Sequence, residues 1–103
     1  MAVRTKSGVL ARLREHESEI RAFGASRIGL FGSFVRGEHK VGSDVDLLVE
    51  FEPGRKNFDN FMGLSFFLEE LLGRKVELVT PESLSPFIGP RIMEEAEYVS
   101  VGH

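Results

Sequence analysis

Asp44 and Asp46 stand one residue apart in a stretch, residues 44–51, whose side chains alternate between apolar and polar. In extended chain Val45, Leu47, Val49 and Phe51 share one face, and Asp44, Asp46, Leu48 and Glu50 share the other. Two aspartates so placed lie roughly 6.5–7 Å apart along the strand. Their charges repel, so the pair gains from a cation. Carboxylate oxygens suit Mg2+, which binds through one or two carboxylates together with substrate phosphates and water. Taken alone, an Asp-x-Asp is frequent by accident, and two solvated aspartates on an open sheet face account for it as well. Glu77 alters the context, because it falls in a second alternating run, residues 75–80, opposite Val76 and Leu78. If the two strands are neighbours, a third carboxylate joins the same face. Such a set can clamp the attacking and leaving oxygens of phosphoryl transfer through bound metal ions. By itself Glu77 is an ordinary exposed strand residue.

The other candidate is Gly32-Ser33-Phe34-Val35-Arg36-Gly37. Gly32 ends a short apolar strand, residues 27–31, and Ser33 opens a short helix, so backbone N–H groups and a hydroxyl can meet a phosphate. Glycine also permits a close approach that a side chain would block. Arg36, one turn on, either contacts phosphate or braces the turn through an ion pair. The ordinary alternative is a Gly-Ser turn with a surface arginine. The P-loop spacing is absent. Ser43, directly before Asp44, is a weaker candidate that either caps the strand or supports a metal site.

These residues need elements to hold them. Residues 7–23 read as a helix, with Val9, Leu10, Leu13, Ile20 and Phe23 near one face, a break in the stripe at His16 and Glu17, and Gly24 as a stop. Residues 57–72 read as a second helix capped near Asn57 and stopped by Gly73, with Phe58, Phe61, Leu64, Leu68, Leu71 and Leu72 as its core stripe. A last helix is expected over residues 90–98. The order helix, strand, strand, helix, strand, helix predicts a small α+β fold: a three-stranded mixed sheet with helices packed on one face.

With 103 residues the chain has room for one core, so residues 1–103 are expected to form a single domain. An apolar fraction of 42% is that of an ordinary globular protein, and the absence of Cys excludes disulfides and thiolate metal sites. No apolar run near the start is long enough for a signal peptide or a membrane span, so the expectation is a cytoplasmic protein without a membrane partner. The net charge is −3 and the basic residues are scattered, which argues against long nucleic acid as a substrate.

Gly32-Ser33, ten intervening residues and Asp44-Val45-Asp46 together resemble the signature of the polymerase-beta-like nucleotidyltransferase superfamily. Within it, GSFVRGEHKVGSDVDLLVEF is similar to the minimal nucleotidyltransferases of bacteria and archaea, and the likeness extends from the leading helix to IMEEAEYV. The resemblance implies that Gly32 and Ser33 hold the β- and γ-phosphates of the incoming nucleotide, with ATP the expected one. It implies that Asp44 and Asp46 ligate Mg2+, and that Glu77 completes the carboxylate set that activates the acceptor hydroxyl. Most relatives carry Asp at that last position, so Glu77 leaves the catalytic geometry open. Minimal nucleotidyltransferases are often paired with a HEPN-type toxin, the product of an adjacent gene, which they neutralise by adenylylation. Transfer of AMP to such a partner is the expected reaction. The alternative is a catalytically weak module that silences its partner by binding, in a homo- or hetero-oligomer. Transfer to a small molecule, as in larger relatives, is a third reading, weakened by the lack of sequence for an acceptor domain.

Of the remaining residues, His16, His39 and His103 do not cluster with the carboxylates. His39 lies in the loop between the two motifs, where it either brushes the nucleotide or is simply solvated. Tyr98 is the sole Tyr and serves either helix packing or self-modification. Phe66 and Phe67 fall outside the core stripe of their helix. They form either an aromatic patch for another chain or a surface covered by the final helix.

Overall fold

A computed structural model describes residues 2–100; His103 lies outside them. Four strands, β1 (Ala25–Phe31), β2 (Val45–Phe51), β3 (Val76–Val79) and β4 (Glu97–Ser100), form one sheet in the order β3-β2-β1-β4. β1 is antiparallel to both β2 and β4, while β2 and β3 are parallel. The sheet is therefore mixed, as expected, but has four strands rather than three. The helix expected over residues 90–98 stops early: α5 covers Gly89–Glu95, and Tyr98 belongs to β4. The helix-forming run Met-Glu-Glu-Ala gives way where the free edge of β1 offers hydrogen-bond partners, with Leu30 opposite Glu97 and Gly29 opposite Tyr98.

The leading helix is also divided. α1 (Lys6–Glu15) begins at Thr5, whose side chain accepts the Gly8 N–H, and ends at His16, after which α2 (Glu17–Ala22) resumes. The break falls where the apolar stripe is interrupted. Val9, Leu10, Leu13 and Ile20 remain buried on either side of it. α3 (Ser33–Arg36) is a single turn. α4 (Phe58–Leu72) is capped by Asn57, which accepts the Asn60 N–H at 2.8 Å, and closed by Gly73 in the left-handed region at φ 68°. A short 3-10 turn, Pro81–Ser83, precedes α5.

The core lies between the helices and one sheet face. Ile28, Leu30, Val45, Leu47, Val49, Val76, Leu78 and Val99 meet Leu13, Ile20, Leu64, Leu68 and Leu72 there. Leu64, Leu68 and Leu72 are fully buried at helical spacing, each contributing about 1.5–3 kcal/mol. Phe58 is 76% exposed and leaves the expected stripe. Phe66 is exposed as expected, whereas Phe67 packs on Phe23 at 5.8 Å and on His16 at 6.2 Å. The cover over Phe67 thus comes from the leading helices, not from the final one. The opposite sheet face is not bare. Leu48 is fully buried outside the main cluster, and Met93 of α5 lines a cleft with Arg27 and Glu50 on that side. No helix among the described residues is long and apolar enough to cross a membrane.

Candidate active site

Register decides which carboxylates meet. Asp46 pairs with Phe31 on one side and with Glu77 on the other. Paired residues of adjacent strands project to the same face, so Asp46 and Glu77 stand side by side, on the face opposite the main core. Asp44 immediately precedes β2, close enough for its charge to act on Asp46. Asp46 is half-buried, while Asp44 and Glu77 are exposed. Burial pushes the Asp46 carboxyl above its ordinary range, and the charges of Glu77 and then Asp44 push it further. Arg36 pulls the other way, and nearby Glu95 adds to the rise. Among the described residues no three His, Asp or Glu side chains converge closely enough to hold a metal ion unaided.

The Gly-Ser turn is packed directly on this group. Gly32 follows β1 with φ 80° and ψ −150°, a backbone state essentially restricted to glycine. A Cβ there would overlap Asp46 Oδ2 and lie 3.0 Å from Asp46 Cγ. The turn and the carboxylate are therefore in contact across β1 and β2. Ser33 is half-buried at the first position of α3, whose Val35 and Arg36 N–H groups close back onto the Gly32 carbonyl.

The Gly32 N–H itself is taken. It donates to Glu95 Oε2 at 2.8 Å, and Arg36 Nη1 donates to Glu95 Oε1 at 2.9 Å. The Gly32 N–H, and beside it the Arg36 guanidinium, hold the Glu95 carboxyl below its ordinary range. Of the two roles open to Arg36, bracing is the one seen: it pairs with Glu38 as well as Glu95, in an exposed rather than buried setting. Ser43 accepts the Lys40 N–H at 2.7 Å, closing the loop before Asp44. The Ser43 carbonyl is held by Arg74 Nη1 at 2.9 Å, and Arg74 also reaches the carbonyls of Val3 and Val41.

Glu95 and Arg74 carry no motif. Glu95 lies 63 residues from Gly32, and only its place at the end of IMEE, at a helix terminus near the signature, could have drawn notice. His39 is not presented to the carboxylates. Its ring stacks on Phe34 at 4.0 Å and its Nε2 donates to the Arg4 carbonyl at 2.6 Å. The Tyr98 ring lies under Arg27 and against Gly29, and its hydroxyl is buried without a partner among the described residues.

Residues 10–99, which include Gly32, Ser33, Asp44, Asp46, Glu77 and Glu95, match the family described as the nucleotidyltransferase domain. The chain belongs to this family. A minimal nucleotidyltransferase is the form it takes. It is 43% identical over 100 residues to protein adenylyltransferase MntA of Thermococcus cleftensis, covering 96% of this chain and all of that one. A solved structure provisionally assigned as a minimal nucleotidyltransferase superposes with a TM-score of 0.70 at 36% identity, over 85% of this chain and 93% of that one. A structure of a toxin–antitoxin with AMP-PNP shares the fold at 21% identity and a TM-score of 0.63, over 82% of this chain and 69% of that one. The nucleotidyltransferase fold thus brings Gly32, Ser33, Asp46 and Glu77 into one locality, as the signature implies, and adds Glu95 to it.

Proposed function

We propose that the chain transfers AMP from ATP, with Mg2+, to a hydroxyl of a partner protein, a HEPN-type toxin encoded alongside it, and so acts as an antitoxin. The observation that carries this reading is the crowding of Asp46. A half-buried carboxylate flanked by two others, with its proton affinity raised, is an unfavourable arrangement that a divalent cation relieves. The donor set fits Mg2+, because Asp44 and Asp46 supply hard oxygens and leave the remaining positions to phosphates and water. When bound, the ion would neutralise charge on the triphosphate and favour displacement of pyrophosphate.

The chain's own residues divide the remaining work. The Ser33 hydroxyl and backbone N–H would hold phosphate oxygens, since the Gly32 N–H is already engaged. Glu77, exposed beside Asp46, would accept the proton of the attacking hydroxyl. Asp44 and Glu77 are exposed, which suits an acceptor delivered by another protein. Support for AMP as the group, and for a protein as acceptor, comes from the name of the Thermococcus relative and from the toxin–antitoxin that shares the fold.

A second reading keeps the partner and drops the chemistry: neutralisation by binding alone. It is favoured by Glu77, a methylene longer than the usual Asp, and by the lack of a ready-made three-residue metal cluster among the described residues. The test is incubation with labelled ATP, Mg2+ and the product of the adjacent gene. Label on the partner that vanishes with Asp46→Asn supports the transferase. Undiminished neutralisation by that variant, with no label moved by the wild type, refutes it.

A further inference from the structure

The end of α5 reaches back to the Gly-Ser turn and takes hold of it at two points. Glu95 Oε2 receives the Gly32 N–H and Oε1 receives the Arg36 guanidinium, so one carboxylate ties the first peptide of the turn to the last residue of α3. Gly32 is buried, so its N–H cannot readily exchange this partner for water, and the Glu95 side chain is only 25% exposed. An N–H stranded there would lose more than an exposed hydrogen bond is worth. The orientation of that peptide also sets the course of the chain beyond it. Rotation about Gly32 would swing Ser33 and all of α3 relative to Asp46, which the turn touches. No other group among the described residues holds the Gly32 N–H.

We propose that Glu95 is a positioning residue for nucleotidyl transfer: by bridging Gly32 and Arg36 it fixes the Ser33 phosphate contacts in register with Asp46. The inference rests on the reading that this turn receives the triphosphate. It also explains why an acidic side chain is tolerated beside an anion site, since Arg36 offsets the Glu95 charge while Gly32 orients it. Loss of the bridge therefore disturbs both the binding of ATP and its alignment. A small misplacement of reacting groups is enough to cost a large factor in rate.

Two variants separate the bridge from mere stabilisation. Glu95→Ala removes both contacts. Glu95→Gln keeps an acceptor for the Gly32 N–H and gives up the ion pair. ATP binding by calorimetry, label transfer and thermal melting are measured on the same preparations, with Asp46→Asn as the control for the site itself. Selective 15N-glycine labelling adds the Gly32 amide resonance, which shifts when Glu95 is protonated or replaced. The expected result is about ten-fold weaker ATP binding and a comparable fall in kcat for Glu95→Ala, with Glu95→Gln much closer to wild type. Unchanged binding and kcat in Glu95→Ala, with only a lowered Tm, would overturn the inference. A wild type that binds ATP but transfers nothing leaves the binding arm to decide in the same way. A wild type that binds no ATP removes the underlying reading and this inference with it.

Discussion

The contact between Gly32 and Asp46 makes a sharp prediction about a single methyl group. Gly32→Ala places a Cβ over Asp46 Oδ2 and at 3.0 Å from Asp46 Cγ, in a backbone conformation of φ 80° and ψ −150°. Strain in such a sparsely populated region costs about 1–3 kcal/mol. Forcing a methyl into occupied space costs a further 1–3 kcal/mol or so. Even the lowest sum, about 2 kcal/mol, lowers the melting midpoint of a domain of this size by roughly 8–16 °C. The protein can escape part of this only by moving Asp46 away, which disables the carboxylate group instead. Gly37→Ala is the matched control. Its φ of 73° carries a strain of about 1–2 kcal/mol, and a Cβ there meets nothing within 4 Å. Thermal melting and ATP binding on both variants check the reasoning. Gly32→Ala is expected to melt well below Gly37→Ala, to bind ATP at least ten-fold more weakly, or both. A Gly32→Ala protein that melts with Gly37→Ala and binds ATP like the wild type would refute the contact argument.

The same geometry has other consequences. The folded Asp46 carboxyl binds its proton more tightly than its ordinary value of 3.8, because of burial and then of Glu77 and Asp44. Its contribution to stability is therefore complete below 3.8 and is lost as pH rises through the raised folded value. Asp46→Asn should abolish that part of the decline in a pH series of denaturant melts, and lose label transfer while gaining stability at neutral pH. Arg74→Met removes hydrogen bonds to the carbonyls of Val3, Val41 and Ser43, and should cost about 1–3 kcal/mol in a denaturation curve, with weaker ATP binding as the Asp44 loop loosens. Tyr98→Phe deletes a buried hydroxyl that has no partner among the described residues, so it should leave the melting midpoint unchanged or raised, and any self-labelling undiminished. Glu77→Asp should raise the rate of label transfer if side-chain length limits Glu77 as a proton acceptor, while Glu77→Gln should depress it by about 10²-fold or more.

The parts of the fold written in local patterns were legible in the sequence. The alternation of residues 44–51 gave β2 and the face of it that carries Asp46, although the strand begins at Val45 and leaves Asp44 just before it, and α4 is announced by Asn57, Gly73 and the Leu64, Leu68, Leu72 spacing. Glu77 could be assigned to a strand, and its position beside Asp46 becomes fixed once β2 and β3 pair in parallel. What escaped depends on tertiary context. Residues 96–100 have no strong strand pattern and become β4 because β1 has a free edge to complete. Phe67 looked outward on an isolated helix, but the break at His16 brings Phe23 and His16 onto it. The Gly32 N–H was expected to serve phosphate, and nothing local to the turn signals that a glutamate 63 residues later claims it.

That long separation has a consequence for synthesis. When a growing chain has emerged only as far as β3, it already carries Gly32, Ser33, Asp44, Asp46 and Glu77, yet β1 is still an edge strand and the Gly32 N–H is still unpaired. The segment containing Glu95 and β4 supplies both missing pieces within six residues. Assembly of this locality thus waits until residue 95 and β4 have been made, and a chain truncated before residue 95 would carry every motif residue while lacking the Glu95 contacts to Gly32 and Arg36.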